Sequence, residues 1–304
     1  MWSRIRIAAL ASAAAPLLLA LAGCGGGSKS DEAVTLPSDP LATNTAPASS
    51  SGTTAPPATG TPAATNAPAP AAPAGGAEGW GTIKGRVVFD GTPPEAKVLD
   101  TKAKDPEVCG KVTVKSERLV VDPESKGVRY AFVYIPKPTA TNPEAKSNAE
   151  SATHEFDQKN CTFVPHALAT IKGAKITLKS SDPINHNINA KLRSNATFNS
   201  VLTANQVVTY DPTAPERAPV EVVCDIHNWM KAYWLILDSP YYAVTDEKGN
   251  FEIKNVPAGS QKLVVWQEAT AYVTPSSGEA ITVKANDTTA VPDIKIEPAK
   301  VRPE

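Results

Sequence analysis

The chain has 304 residues, and 30 Lys and Arg stand against 31 Asp and Glu, for a formal net charge of −1. That balance argues against a nucleic-acid binder, which would show a basic excess or patch, so no nucleic-acid partner is expected. The length allows two ordinary domains, but the 28 prolines crowd toward the N-terminus, so the folded part is shorter. Four Cys and four His are few enough that every metal or nucleophile assignment can be checked by counting.

Residues 1–23 carry a basic start at Arg4 and Arg6, then an Ala/Leu-rich apolar run, then small residues, the pattern of a secretory signal. The run is broken by Pro16 and is short for a membrane span of about 20 residues. Leu21-Ala22-Gly23-Cys24 resembles the lipobox of bacterial lipoproteins. The resemblance implies that Cys24 is acylated and becomes the first mature residue. With Gly25 following, it also implies an exported protein lipid-anchored to the bacterial cell envelope, at the outer membrane. An uncleaved anchor or a plainly secreted protein is the alternative. Residues 24–79 form a linker with nine prolines among Ala, Thr, Ser and Gly. This composition buries too little apolar surface to offset the entropy of ordering, so a disordered tether is expected, with a reach on the order of 40 Å.

From Trp80 the texture becomes that of an all-β protein. Ile83, Gly85, Val87 and Phe89 alternate along a half-buried strand that ends at Asp90-Gly91. Tyr130–Ile135 and Lys231–Leu237 read as strands apolar on both faces. Asn142–Glu155 has no apolar face and predicts a loop with at most a short helix. Ile176 and Leu178 alternate with polar neighbours, as do Phe251 and Ile253. Leu263–Trp266, Ile281–Val283 and Ile294–Ile296 follow as further strands. Short strands at this spacing predict sandwiches or barrels, and the length left beyond the linker suits two small ones.

The chemistry lies in Cys224-Asp225-Ile226-His227-Asn228-Trp229-Met230, a C-x2-H-x2-M stretch, with His186-Asn187 upstream. A soft thiolate, two imidazoles and a weak thioether are the ligand set of a type-1 copper centre. A disulfide through Cys224, with His227 and Met230 as interior residues, is the competing reading. Zinc suits the set less, because Met is a poor zinc ligand. A catalytic Cys–His pair lacks a helix N-terminus and an orienting group.

Residues 154–238 resemble a cupredoxin, nearest in loop spacing to amicyanin. The likeness is carried by Cys161-Thr162-Phe163-Val164-Pro165, Lys172-Gly173 before the next strand, His186-Asn187, and the Cys224–His227–Met230 loop feeding Lys231–Leu237. It implies a Greek-key β-sandwich with one mononuclear type-1 copper held by His186, Cys224, His227 and Met230. Asn187 would tie the His strand to the Cys loop. It also implies a docking patch around the ring of His227, to which Trp229 would belong, with a core position for Trp229 as the alternative. Relatives often carry Pro where Asn228 stands. With Cys24 given to lipid and Cys224 to copper, parity favours a Cys109–Cys161 disulfide in an oxidising compartment. The alternative makes Cys161 a second-site ligand with His166. After His186 and His227 only His154 and His166 remain, too few for the extra centres of a multicopper oxidase or copper nitrite reductase.

Thr245-Asp246-Glu247-Lys248-Gly249-Asn250-Phe251-Glu252-Ile253, then Val256-Pro257-Ala258-Gly259, resembles the signature of carboxypeptidase-regulatory-like, transthyretin-type sandwiches. Gly81-Thr82-Ile83-Lys84-Gly85-Arg86-Val87, then Gly91 and Pro93, resembles the start of the same family. The implied arrangement is one such sandwich split into residues 80–153 and 239–298, with the cupredoxin inserted in it or packed beside it, and a tail at 299–304. Isolated acids there, Glu252 and Glu268 among them, read as surface charges. The expected function is an electron carrier, not an enzyme, passing single electrons between envelope redox partners. It would be monomeric, with transient protein contacts and a membrane contact through the lipid. The alternative is a copper-delivery protein or a scaffold module with a vestigial site.

Overall fold

The computed structural model describes residues 78–303; the signal, Cys24 and the linker up to residue 77 lie outside the described residues. Two strands open the fold, β1 (Trp80–Phe89) and β2 (Phe132–Tyr134), followed by helix α1 (Pro143–Glu150). Nine strands follow: β3 (Thr153–Lys159), β4 (Thr162–Val164), β5 (Ala167–Ile171), β6 (Lys175–Ser180), β7 (His186–Ala190), β8 (Phe198–Leu202), β9 (Val207–Tyr210), β10 (Val220–Val223) and β11 (Lys231–Leu237). The chain ends with β12 (Tyr242–Val244), β13 (Asn250–Pro257), β14 (Gly259–Gln267), β15 (Ala271–Tyr272), β16 (Glu279–Val283), β17 (Thr288–Ala290) and β18 (Ile294–Ile296). The protein is all-β, as its alternation predicts.

Strands β3 to β11 form a central sandwich of two sheets. One sheet has the order β4-β3-β6-β9 and the other β5-β11-β10-β7-β8. The β3–β6 and β5–β11 pairs are parallel and the other pairs antiparallel. The remaining strands build a flanking sandwich. Its sheets are β13-β1-β17, with β18 also on β1, and β12-β2-β14-β15, with β16 also on β14. Strand β1 pairs with β13, from Trp80 opposite Pro257 to Arg86 opposite Asn250, so chain from both sides of the central strands shares one sheet.

Three apolar cores hold these layers. Ile83, Val87, Phe251 and Val265 fill the flanking sandwich. Phe156, Leu178, Ile188 and Trp234 fill the central one. A third cluster joins the two sandwiches, with Phe132, Tyr134, Val264 and Trp266 packed against Ala167, Ile171, Leu235 and Leu237. This explains the strands that are apolar on both faces. In β2, Val133 enters the first core while Phe132 and Tyr134 enter the third. In β11, Ala232 and Trp234 face the central core while Leu235 and Leu237 face the flanking sandwich. Each such fully buried large side chain contributes about 1.5–3 kcal/mol relative to exposure.

Within the stretch expected as mostly loop, α1 is a full eight-residue helix with no buried residue. It forms through its start: the Asn142 side chain accepts the Ala145 N–H, and Pro143 sits where its missing N–H costs nothing. The Thr245–Gly249 turn closes on its own carboxylate, with Asp246 Oδ1 accepting the Lys248 and Asn250 N–H groups at 2.9 and 2.8 Å. Gly249 has φ +77°, and a Cβ there would stand 2.2 Å from the Val87 carbonyl oxygen, so only glycine fits.

Candidate metal centre

Ends of three strands of the central sandwich meet at one place. His186 begins β7, Cys224 follows β10, and Met230 precedes β11. The loop between β10 and β11 is closed by its own main chain, with Cys224 N–H donating to Met230 O at 3.2 Å and Met230 N–H to His227 O at 2.9 Å. Asn187 joins this loop to the His186 strand. Its Oδ1 accepts the N–H groups of Asp225 and Ile226 at 2.6 and 3.3 Å, and its Nδ2 donates to Asp225 Oδ2 at 2.9 Å. Its own N–H points at Cys224 Sγ, 3.4 Å away.

His186 Nδ1 and His227 Nδ1 face each other at 3.0 Å, and Cys224 Sγ lies 3.7 Å from His227 Nδ1. The three donor atoms all fall within 4.8 Å of one another. His186, Cys224, His227 and Met230 are 0, 1, 0 and 1% exposed. Met230 belongs to the same packed cluster as Cys224.

The Nε2 atoms turn outward onto carboxylates. His186 Nε2 meets Asp182 Oδ2 at 3.0 Å, and His227 Nε2 meets Asp105 Oδ2 at 2.9 Å. With each Nε2 turned to a carboxylate, each ring presents its Nδ1 inward, an orienting device common at metal sites. Burial alone would push His186 down, but its hydrogen bonds to Asp182 and Cys224 outweigh it and hold the imidazole up, at about 9. Burial would raise the Cys224 thiol, but the His186 bond and the Asn187 N–H bring it below its ordinary value. Burial lowers His227, and the Asp105 bond opposes this only in part. Two inward-facing imidazole nitrogens and a thiol poised to be anionic converge on one buried point, where a metal ion could take the place of the protons they carry. The donor set of two imidazoles, one thiolate-prone sulfur and one buried thioether fits a copper ion.

Cys109 and Cys161 form a disulfide, with Cα atoms 5.6 Å apart. Cys161 is therefore not a second-site ligand beside His166. His166 instead bonds Glu268 Oε2 at 2.7 Å. This corrects the reading of Glu268 as a surface charge: it is 8% exposed and packed where the sandwiches meet. Glu252 is exposed and pairs with Lys84 at 3.4 Å. The ring of His227 does not reach the surface as the resemblance implied, because Asp105 and its turn cover that edge. Trp229 is half-buried, its ring centroid 5.1 Å from that of His227 and its Nε1–H bonded to Cys161 O at 3.0 Å. Together with Met230, His166 and Glu268 it lines a cavity of about 290 Å³. Asp105, Asp182 and Glu268 were all missed as functional candidates. Asp182 alone carried a signal, four residues before His186.

No family model matches the chain, and no curated protein matches it. Among the solved structures that resemble part of it, three illustrate the likeness. A copper-containing nitrite reductase from Thermus scotoductus SA-01 is 15% identical, over 28% of this chain and 22% of that one, with a TM-score of 0.26. A purple cupredoxin from Nitrosopumilus maritimus is 16% identical over 27% of this chain and 98% of its own, with a TM-score of 0.24. A methionine-to-alanine mutant of amicyanin, in its Cu(I) form, is 15% identical over 34% of this chain and 97% of its own, with a TM-score of 0.25. The chain thus spans less than a quarter of the nitrite reductase. Likeness at these scores carries no argument about activity, which rests on the residues themselves.

Proposed function

We propose that this protein is a type-1 copper protein that carries single electrons. The observation that carries the reading is the convergence of His186 Nδ1, His227 Nδ1 and Cys224 Sγ in a buried pocket beside Met230. A copper ion bound there would supply a one-electron couple. Cys224 supplies the covalent sulfur donor, and Asn187 fixes that sulfur by its N–H. Asp182 and Asp105 hold the two imidazoles from outside, so the donors would rearrange little on electron transfer. His186, Cys224 and His227 are 0–1% exposed, which favours a carrier over an enzyme.

The cover on His227 supports a second reading, copper delivery, because cupredoxins commonly exchange electrons at that ring. One titration separates the two. Cu(II) added to reduced, folded protein is expected to give an intense visible thiolate-to-copper band that Cys224→Ser abolishes. A tight, colourless Cu(I) complex would favour delivery, and a folded protein that binds no copper would sink both.

The sequence also supports export, a lipid anchor at Cys24 and transient contacts between a monomer and redox proteins. Cys24→Ser should move the protein from the membrane fraction to the soluble one; retention in the membrane would overturn the anchor.

A further inference from the structure

A side chain from the segment between β1 and β2 reaches the metal centre. His227 Nε2 lies 2.9 Å from Asp105 Oδ2, 122 residues earlier in the chain and in the segment between β1 and β2. Asp105 holds φ +48°, a left-handed conformation uncommon for any residue but glycine, directly before Pro106. Strain of this kind persists only where surrounding contacts over-determine it. Here they do: the Asp105 carbonyl accepts the N–H groups of Val108 and Cys109 at 3.0 and 2.9 Å. Cys109 is bonded to Cys161, whose N–H donates at 2.8 Å to Asp182 Oδ2, the oxygen that faces His186. The contacts close a ring from Asp105 through the disulfide to Asp182, His186 and His227, and back to Asp105.

We propose that Asp105 is a positioning residue for the metal centre, a carboxylate on a disulfide-fastened turn that fixes the His227 ring and seals its outer edge from solvent. The inference rests on the copper reading above. A carboxylate on the far nitrogen of a ligating imidazole strengthens that ligand's donation and stabilises the more highly charged metal ion. A turn that merely staples the loop would leave the ring's orientation and the metal's preference untouched.

The test uses the full chain with Asp105→Asn, which keeps an acceptor but drops the charge, and Asp105→Ala, which drops both. Glu107→Gln removes a charge from the same turn at a side chain that pairs with Lys111, not His227. Removing such an outer partner typically costs roughly 10–100-fold in metal affinity. Both Asp105 variants should weaken Cu(II) by that range and raise the midpoint potential, with Glu107→Gln unchanged. Wild-type Cu(II) affinity and potential in folded Asp105→Asn would overturn the proposal, as would equal losses in Glu107→Gln. A second readout needs no copper. In the metal-free protein, imidazole nitrogen shifts should show His227 locked with its proton on Nε2, and this lock should be lost in Asp105→Ala. Identical His227 signals in the two would overturn the proposal even if the copper reading failed.

Discussion

His186 takes its carboxylate from Asp182, four residues away on the turn that leads into its own strand, whereas His227 takes one from Asp105, 122 residues away in a segment attached to the other sandwich. The Asp182 carboxylate also accepts the N–H groups of Asn160 and Cys161, at 2.7 and 2.8 Å, and its side chain is 8% exposed. Asp105 is 36% exposed and its side chain serves His227. One imidazole is held by a buried acid that also ties two backbone amides of the central sandwich. The other is held by a half-open acid whose cost falls mainly on the site. Orientation of a ligand can thus be tied to the stability of its fold or kept separate from it.

Cutting the disulfide should break this comparison most severely, since it removes the link between the two carboxylates. A crosslink of sequence separation 52 restricts the unfolded chain by about 4 kcal/mol in the chain-entropy account. Cys109→Ala with Cys161→Ala should lower the urea midpoint accordingly, and a midpoint unchanged from wild type would show that the link is dispensable.

Asp182→Asn should come next. It weakens charge-assisted bonds to two N–H groups and one imidazole in a buried place, and about 2–3 kcal/mol of stability should go with them. Asp105→Asn, exposed to solvent, should cost under about 1 kcal/mol in the same denaturation assay. Equal losses for the two acids would erase the distinction between them.

Acid sharpens it further. Burial would raise Asp182, but the His186 bond and the Cys161 and Asn160 N–H groups outweigh it and hold the carboxyl below its ordinary value. The folded state therefore binds that proton more weakly than the unfolded chain does. Its contribution to stability is complete above the unfolded value of about 4 and is lost as pH falls through the lower folded value. Asp182→Asn should flatten that acid limb of the stability curve, read as the denaturation midpoint from pH 6 downward.

What was legible in the sequence was local. Cys224, His227 and Met230 share one seven-residue loop, and His186 sits beside an Asn that bridges to it, so residue type and spacing were enough. The strands apolar on both faces were legible for the same reason, because neighbouring residues of β2 and β11 alternate between two cores. Parity of the four cysteines pointed to the Cys109–Cys161 pair. Asp105 was not legible: Lys104-Asp105-Pro106-Glu107 has the composition of an ordinary solvated turn, and its target lies across the molecule. Glu268 failed for a similar reason, since it follows β14 as an isolated acid and meets His166 only once the sandwiches pack. Helix α1 is the short helix without an apolar face that the sequence allows, and its start rests on the Asn142 cap.

The shared sheet of β1 and β13 has a kinetic consequence. Arg86 cannot meet Asn250 until roughly 160 residues between them are drawn in, an entropic closure that grows with the logarithm of the free length. Collapse of the central strands first shortens that free length. The flanking sandwich, rich in such distant pairings, should then be the slow step. In pulse-labelled hydrogen exchange during refolding, the amides of Leu178 and Trp234 should be protected before those of Ile83 and Phe251. The reverse order would mean that the flanks assemble without the central strands to close their loop.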